Sequence, residues 1–401
     1  METPLKGIMV TELANVLAGP SVGLFLAEMG ATVIKVENVK SCGDVTRHWK
    51  LPVENPDTDI SSYFSCVNWG KQSLAVDMST GDGLEIVNRL VRKSDILLSS
   101  YKPGDAEKLK VDYNSLKALN EKLIYAHVTG YGPDNPRAGY DAIIQAESGF
   151  TYMNGEPGGN PTKMPVALMD VLAAHQMKEA ILLALLSRER GGGGQFIEAS
   201  LLRSGVASLA NQATNWLVGR SIPRRMGSDH PNIVPYGTIF STADGKEIVL
   251  AVGTDKQFGE LCRLLGRPEM AYDERFVKNY NRVVNSEELK RVLQELIGGY
   301  ERKEILELLE SRRVPAGGVF NMKEVFETPE AASMLIEAPF NSGSIKGVSS
   351  VAFSSDRIEV ARNLLPPPHY GEHSKQILTN LLGYSGDRID ELLKNNVIYA
   401  S

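Results

Sequence analysis

Short apolar runs alternate with amphipathic stretches through the first half of the chain. Residues 7–13 form an apolar run typical of a buried strand, residues 19–29 form an apolar helix that ends at Gly30, and residues 32–37 form a second strand. The alternation continues through residues 81–92, 95–99, 113–120, 123–129 and 170–190. Strands that alternate with helices predict an α/β fold with a doubly wound, mainly parallel sheet, in which ligands bind beyond the carboxyl ends of the strands.

The pattern changes after about residue 217. Residues 220–230 are basic, contain proline and lack a strong period, which indicates a linker into a second unit. Residues 237–253 predict a hairpin with its turn at Asp244-Gly245. The remaining predicted elements are helices near residues 256–265, 286–297 and 302–311, a strand-like region at 343–353, and a closing helix beyond residue 371.

The composition is that of a globular protein. The chain has 401 residues, 42% of them hydrophobic, and a formal net charge of -6, which argues against nucleic-acid binding because that requires a basic surface. Cys42, Cys66 and Cys262 are odd in number and widely spaced, so we expect no disulfide framework and a reducing compartment. We expect no membrane segment and no presequence. The cytoplasm is therefore the expected location, with the mitochondrial matrix as the alternative.

Two sequence features suggest cofactor chemistry, but neither has the required pattern. Gly191 to Gly194 follows a helix and leads into a strand, the reverse of a phosphate-binding loop, so a helix end and turn is the better interpretation. His369 and His373 have i, i+4 spacing but follow three prolines, so a helix that presents both to a metal is not expected. We therefore expect no metal and no tightly bound cofactor.

Asp170 is a single carboxylate within the apolar residues 164–174, at the start of the predicted helix 170–190. Moving an ionised carboxylate out of water is costly unless it is paired or hydrogen-bonded. One interpretation is an N-terminal helix cap, because Asp accepts hydrogen bonds from the N–H groups of a first turn. The other interpretation is a nucleophile, and the residue by itself does not decide between them.

Five short sequences occur in order along the chain: Val16-Leu17-Ala18-Gly19-Pro20, Gly30 to Glu37, Thr129-Gly130-Tyr131-Gly132, Arg137 to Asp141, and Ala167-Leu168-Met169-Asp170. Together they resemble the class III CoA-transferases, the CaiB/BaiF family that includes formyl-CoA and carnitine CoA-transferases. Residues 225–236 and 365–373 are similar to the succinyl-CoA:glutarate branch of that family. A dicarboxylic acid is therefore the expected CoA acceptor.

The resemblance implies a domain organisation and an assembly. Residues 1–222 would form most of a large Rossmann-like, CoA-binding domain, and residues 326–401 would return to it. Residues 223–325 would form a smaller α+β domain between them. Two chains would interlock as linked rings in a homodimer, with each site near the subunit boundary.

The resemblance also implies the reaction. CoA would move from an acyl-CoA, with succinyl-CoA the expected donor, to a free dicarboxylic acid such as glutarate. Asp170 stands at the position of the family's nucleophile and would carry first an acyl anhydride and then a CoA thioester. Backbone N–H groups of the Leu17-Ala18 loop are the expected oxyanion donors, although the same loop is equally compatible with a plain helix start. Some family members have Gln at the position of Leu17, so that side-chain amide is lost here.

The positions that correspond to the family's CoA site are Val76, Asp77, Tyr101, Lys102, Lys108, Arg137 and Tyr140. Without the resemblance, Lys102, Lys108 and Arg137 are each interpreted as solvated surface charges. Asn38 replaces an Arg of some members, so one phosphate contact is either missing or moved to Lys40 or Arg47. Arg225 and His230 are predicted to hold the distal carboxylate of the acceptor, with the alternative that both are surface residues of the linker.

Two other functions stay open at this point: an α-methylacyl-CoA racemase, and a CoA-binding protein without turnover in which Asp170 only caps its helix. The racemases have a His at the position of Tyr140, because exchange of an α-proton needs two acid/base groups that flank the carbon. An unperturbed phenol, with a pKa of about 10, is poorly suited to that role at neutral pH. Transfer is therefore favoured over racemisation.

Overall fold

The computed structural model describes residues 3–401, which pack as two compact units. Unit 1 comprises residues 3–148, 164–214 and 333–401, and unit 2 comprises residues 149–163 and 215–332. These limits differ by a few residues from the predicted boundaries at 222 and 325, and unit 2 also includes residues 149–163. Within that unit, for example, the N–H of Gly227 donates to the carbonyl of Gly155 at 2.9 Å. That the units fold as separate domains stays a prediction.

The strands are β1 (Met9–Leu13), β2 (Thr32–Glu37), β3 (Lys71–Val76), β4 (Ile96–Ser99), β5 (Ile124–Thr129), β6 (Gln195–Ser200), β7 (Tyr236–Ser241), β8 (Glu247–Ala251), β9 (Ala316–Gly318), β10 (Leu335–Phe340), β11 (Gly343–Val348) and β12 (Ile398–Tyr399). The α-helices are α1 (Ala18–Glu28), α2 (Ser62–Ser65), α3 (Gly81–Val91), α4 (Asp105–Lys108), α5 (Tyr113–Leu116), α6 (Asp141–Glu147), α7 (Phe150–Met153), α8 (Leu168–Glu189), α9 (Leu201–Ala207), α10 (Ala210–Leu217), α11 (Asp255–Leu264), α12 (Asn279–Val284), α13 (Ser286–Ile297), α14 (Arg302–Ser311), α15 (Met322–Phe326), α16 (Pro329–Ala332), α17 (Ser374–Gln376) and α18 (Gly386–Lys394).

Unit 1 is built on a seven-stranded sheet with the strand order β12-β3-β2-β1-β4-β5-β6. Every pair of neighbours is parallel except β12 and β3, which pair antiparallel. Strands β1, β2 and β4 are buried almost throughout, as expected when helices cover both faces of a parallel sheet. The predicted α/β fold with a mainly parallel sheet is confirmed.

The two faces of this sheet differ in chemistry. On one face, apolar side chains of the strands pack with those of α3 and α18, including Ile34, Ile86 and Ile389. On the face that α1 covers, the buried side chains include the charged Glu12 and Lys71, and the Lys71 ammonium donates to the carbonyl of Pro20 at 2.9 Å. Buried charges persist only when they are paired, so this face is held by ion pairs as well as by apolar packing.

The strand order fixes where a ligand can enter unit 1. Strand β1 has β2 on one side and β4 on the other, so the winding of the chain reverses between β1 and β4. The loops that follow β1, β4 and β5 therefore open at the same edge of the sheet. This edge is the topological switch point at which open α/β sheets bind ligands.

Unit 2 contains a three-stranded antiparallel sheet in the order β7-β8-β9, and its apolar core includes residues of α11, α13 and α14. The hairpin predicted at residues 237–253 is confirmed as β7 and β8. Arg282 is fully buried here, and it donates to the carbonyls of Val234 and Phe276 and to Asp255, each at 2.9 Å. Throughout residues 3–401, each helix is either too short or too polar to traverse a bilayer.

Candidate active site

A cleft of about 240 Å³ lies in unit 1 at the switch-point edge of the sheet. Its walls come from the loops that follow β1, β4 and β5, and Asp170 closes one side at the start of α8. Among the described residues 3–401, no cluster of three or more His, Cys, Asp or Glu side chains is arranged to hold a metal ion. The residues that line the cleft supply carboxylates, cations and backbone N–H groups.

The position of Asp170 in its helix differs from the capping interpretation. Ala167 is the N-cap residue of α8, so Asp170 lies at the third helical position, and its side chain accepts no capping hydrogen bond. The N–H of Met169 instead donates to Asp141 at 2.8 Å. Asp141, in α6, therefore accepts a hydrogen bond from the first turn of α8. It lies 28 residues from Met169 in the sequence, so no motif at the start of α8 indicates this contact. The interpretation of Asp170 as the cap is wrong.

The Asp170 carboxyl is only partly exposed, and within residues 3–401 no hydrogen bond or ion pair compensates its charge. Burial, together with the nearby negative charge of Asp141, raises the pKa of Asp170 from 3.8 to about 7. A carboxylate that is poorly solvated and unpaired is more basic and more nucleophilic than one in water. The position thus suits covalent chemistry better than helix stabilisation.

The loop after β1 brings backbone N–H groups to the same cleft. Helix α1 begins at Ala18 with Leu17 as its N-cap, and the side chain of Leu17 makes no capping hydrogen bond. Ala18 and Gly19 line the cleft, and the first N–H groups of a helix have no partner within the helix. A Cβ on Gly19 would lie 2.3 Å from the Cβ of Ala14, so only glycine permits this close approach. Uncapped N–H groups at a helix start favour negative charge.

A second close approach of two backbones shapes another part of the cleft wall. Gly130 follows β5, and a Cβ built on it would lie 2.4 Å from the Cα of Gly139. The two backbones are therefore in direct contact, which folds residues 130–139 back on themselves. This places Tyr140 and Asp141 at the cleft beside Asp170. The sequence indicated the strand-end loop, but not the contact between its two glycines.

The predicted CoA-binding residues divide into two groups. Tyr101, Lys102, Arg137 and Tyr140 line the cleft. Arg137 is already paired with Glu147 at the surface, and its guanidinium lies 4.4 Å from the ring centre of Tyr131.

The other three predicted residues do not line the cleft. Val76 is buried and ends β3, and Asp77 is paired with Lys40 at 3.0 Å. Lys108 has a 78% exposed side chain that pairs with Asp105 at 3.1 Å. A phosphate contact through Arg47 is wrong, because Arg47 is fully buried and donates to both oxygens of Glu37. Lys40 has a 65% exposed side chain, so a phosphate contact through Lys40 stays a prediction.

Arg225 and His230 lie in unit 2. Arg225 donates to the carbonyl of Tyr152 at 2.9 Å, and its guanidinium lies 5.6 Å from the ring centre of that residue. His230 accepts at Nδ1 from the N–H of Asn232 at 3.1 Å and makes an edge-to-face contact with Tyr236. Their contact with a substrate stays a prediction.

Sequence reasoning missed two carboxylates that organise the cleft. Asp141 was visible only as the last residue of a motif, and its acceptance from Met169 depends on the packing of α6 against α8. Asp44 was not singled out at all, although it is buried and accepts a hydrogen bond from the N–H of Val16 in the cleft wall. Nothing in the sequence around Asp44 marks it.

Comparisons of the sequence and of the structure with known proteins indicate the same family. Residues 5–374 match the family model described as CoA-transferase family III. The chain is 40% identical over 388 positions to a succinate–glutarate CoA-transferase of Agrobacterium fabrum, which covers 94% of this chain and 96% of that protein. It is 34% identical over 402 positions to the succinyl-CoA:glutarate CoA-transferase of Homo sapiens, which covers 98% of this chain and 90% of that protein. The crystal structure of a CaiB/BaiF family protein from Brucella suis matches with a TM-score of 0.83 and 38% identity, covering 95% of this chain and 100% of that one.

Proposed function

The chain belongs to CoA-transferase family III, and from that premise we propose that it moves CoA from succinyl-CoA to glutarate or a dicarboxylate of similar size. The observation that supports this most strongly is the Asp170 carboxyl in the cleft. It has no partner among residues 3–401, and burial together with the charge of Asp141 raises its pKa to about 7. The relatives named for succinate and glutarate match over nearly the whole chain, which favours this donor and acceptor. The CoA thioester is a substrate here, and the proposed chemistry needs no metal.

In the proposed mechanism, the Asp170 carboxylate attacks the thioester carbonyl of the donor. The C–S bond breaks, which leaves a mixed anhydride on Asp170 and CoA thiolate. The thiolate attacks the Asp170 carbonyl, so succinate leaves and an aspartyl-CoA thioester forms. The acceptor carboxylate then attacks that thioester, which gives a second anhydride and releases the thiolate again. Attack of the thiolate on the acceptor's acyl carbon yields the new acyl-CoA and restores Asp170.

Each attack places negative charge on a carbonyl oxygen, and that charge needs donors. The uncapped N–H groups at Ala18 and Gly19 line the same cleft as Asp170 and carry the positive end of the α1 dipole. One preorganised donor of this kind contributes about 3 kcal/mol to a transition state. We therefore assign the oxyanion site to Ala18 and Gly19, with Leu17 as the residue that begins the turn.

The remaining roles follow the charges around the cleft. Lys102 and Tyr101 in the cleft wall would contact the phosphate and pantetheine portions of CoA, together with Arg137 and Tyr140. The nucleotide end is assigned to Val76, Asp77 and Lys108, which lie outside the cleft. We assign the acceptor's distal carboxylate to Arg225 or His230, because a cation is required there. We also propose that two chains form an interlocked homodimer.

A covalent trapping experiment tests the reaction. The wild-type protein is incubated with succinyl-CoA and hydroxylamine, and its peptides are then mapped by mass spectrometry. We expect a hydroxamate at Asp170 and transfer of CoA to glutarate, and we expect both to be lost in Asp170→Asn. Asp390→Asn, an exposed carboxylate on α18, is the matched control and should behave as wild type. Full transfer activity in Asp170→Asn would show that the nucleophile is assigned wrongly, and α-proton exchange without a trapped adduct would indicate a racemase.

A further inference from the structure

The backbone of Val16 in the cleft wall is strained. Its φ is 71°, and among the non-glycine residues of the described chain with positive φ it is the one with a β-branched side chain. A β-branched residue in this region is a conformational outlier, which persists only when its surroundings impose it. Val16 lies two residues before the first residue of α1 and lines the cleft. The strain is therefore located where the direction of the helix start is set.

A buried ion pair holds this conformation. The N–H of Val16 donates to Oδ2 of Asp44 at 3.2 Å, and the same oxygen pairs with the Lys35 ammonium at 2.9 Å. Lys35 also donates to the carbonyl of Ala14 at 2.8 Å. The pair thus binds the chain on both sides of residue 15. Neither charged side chain is exposed to solvent.

Asp44 is itself fixed on all sides. Its second oxygen, Oδ1, accepts from the N–H of Thr46 at 3.0 Å and from the Thr46 hydroxyl at 2.8 Å. Its own N–H donates to Glu37 at 2.9 Å, and Glu37 is held by the buried Arg47. Both carboxylate oxygens therefore act as acceptors. An amide cannot replace this group, because it offers one oxygen and would direct N–H donors at one of the two sides.

We propose that Asp44, together with Lys35, is a positioning residue for the transfer reaction: it holds residues 14–16 in the strained conformation that directs the first turn of α1 at Asp170. Asp44 does not line the cleft, so it acts through Val16 rather than on the substrate. This inference rests on the proposed function. It assigns a catalytic consequence to a buried pair that would otherwise be regarded as purely structural.

The proposal predicts a specific pattern of rescue. Loss of the acceptor in Asp44→Asn allows residues 15–18 to relax, and misplacement of donors by about 1 Å lowers a rate on the order of a hundredfold. We expect kcat for CoA transfer to fall about 10- to 100-fold, with a smaller change in KM for succinyl-CoA. Glycine adopts positive φ without penalty. Val16→Gly in the Asp44→Asn background should therefore restore most of the lost kcat.

Steady-state kinetics of the four members of this double-mutant cycle provide the test. The control is Glu28→Gln, which removes another fully buried carboxylate of unit 1, whose acceptor contacts are with Ser349 and Ser350 rather than the cleft. It should lower the melting temperature and leave kcat unchanged. The proposal is overturned if Asp44→Asn has wild-type kcat, if Val16→Gly fails to rescue it, or if Glu28→Gln loses kcat equally.

A milder variant keeps the test decisive if Asp44→Asn does not fold. Thr46→Val removes one hydrogen bond to Asp44 with little change in volume, and we expect a smaller fall in kcat that Val16→Gly again reverses. A Thr46→Val variant with unchanged kcat at wild-type stability would overturn the proposal. Failure of the proposed function is distinguishable, because the wild-type protein would then transfer no CoA from succinyl-CoA to any dicarboxylate.

Discussion

The Asp170 carboxyl is expected to destabilise the folded protein at neutral pH, so Asp170→Asn should make the protein more stable while abolishing transfer. Burial and the nearby charge of Asp141 raise the pKa of Asp170 from 3.8 to about 7, so the folded protein binds a proton there more tightly than the unfolded chain does. The penalty is absent below pH 3.8, grows as the pH rises, and is complete above about pH 7. An amide has no charge to desolvate and removes that penalty.

The magnitude follows from the two pKa values. A rise from 3.8 to about 7 corresponds to about 4 kcal/mol of unfolding free energy at pH above 7. Solvent reaches part of this side chain, and the amide must itself be desolvated, both of which reduce the gain. We therefore expect Asp170→Asn to be more stable by about 2 to 3 kcal/mol at about pH 8, and by less than half of that at about pH 5.

Guanidinium denaturation of wild type and Asp170→Asn at both pH values measures this difference. Asp390→Asn is the control, because its carboxylate is exposed on α18 and its replacement should change stability little at either pH. The reasoning is refuted if Asp170→Asn is no more stable than wild type at about pH 8. It is also refuted if the gain is the same at both pH values, because the effect would then not come from ionisation.

Three further predictions concern the cleft. Asp141→Asn removes the second cause of the raised Asp170 pKa, so the acidic limb of the pH–rate profile should move to lower pH. The move should be less than half of the interval between 3.8 and about 7, because burial is the larger cause. A move to higher pH would contradict this. Gly130→Ala places a Cβ 2.4 Å from the Cα of Gly139 and should lower both the melting temperature and kcat. Gly81→Ala is the control, because a Cβ at Gly81 has no neighbouring atom within 4 Å. Lys102→Met should raise KM for succinyl-CoA about tenfold with little change in kcat, and the effect should shrink at high salt; an unchanged KM would remove Lys102 from the CoA site.

Much of the fold could be predicted because it depends on local pattern. The apolar run at β1 and the helix that Gly30 follows are determined by periodicity and by glycine at a helix end, and both are present. The positive φ of Gly30, at 96°, is the conformation that such a helix end requires. The place of residues 149–163 in unit 2 could not be predicted, because they carry no pattern that indicates which part of the chain they pack against.

The sequence by itself determined the α/β architecture and the family, and it indicated the residue that we propose as the nucleophile, since ordered motifs and hydrophobic period are properties of the linear chain. Only the tertiary structure decided that Asp170 has no partner within the described residues, and that Asp141 accepts a hydrogen bond from the first turn of α8. It also decided that Asp44 accepts from the N–H of the strained Val16. Each of these depends on groups distant in sequence that meet through packing. The charge, burial and hydrogen bonding of a site are determined by these tertiary contacts, so they are established only when the chain is folded.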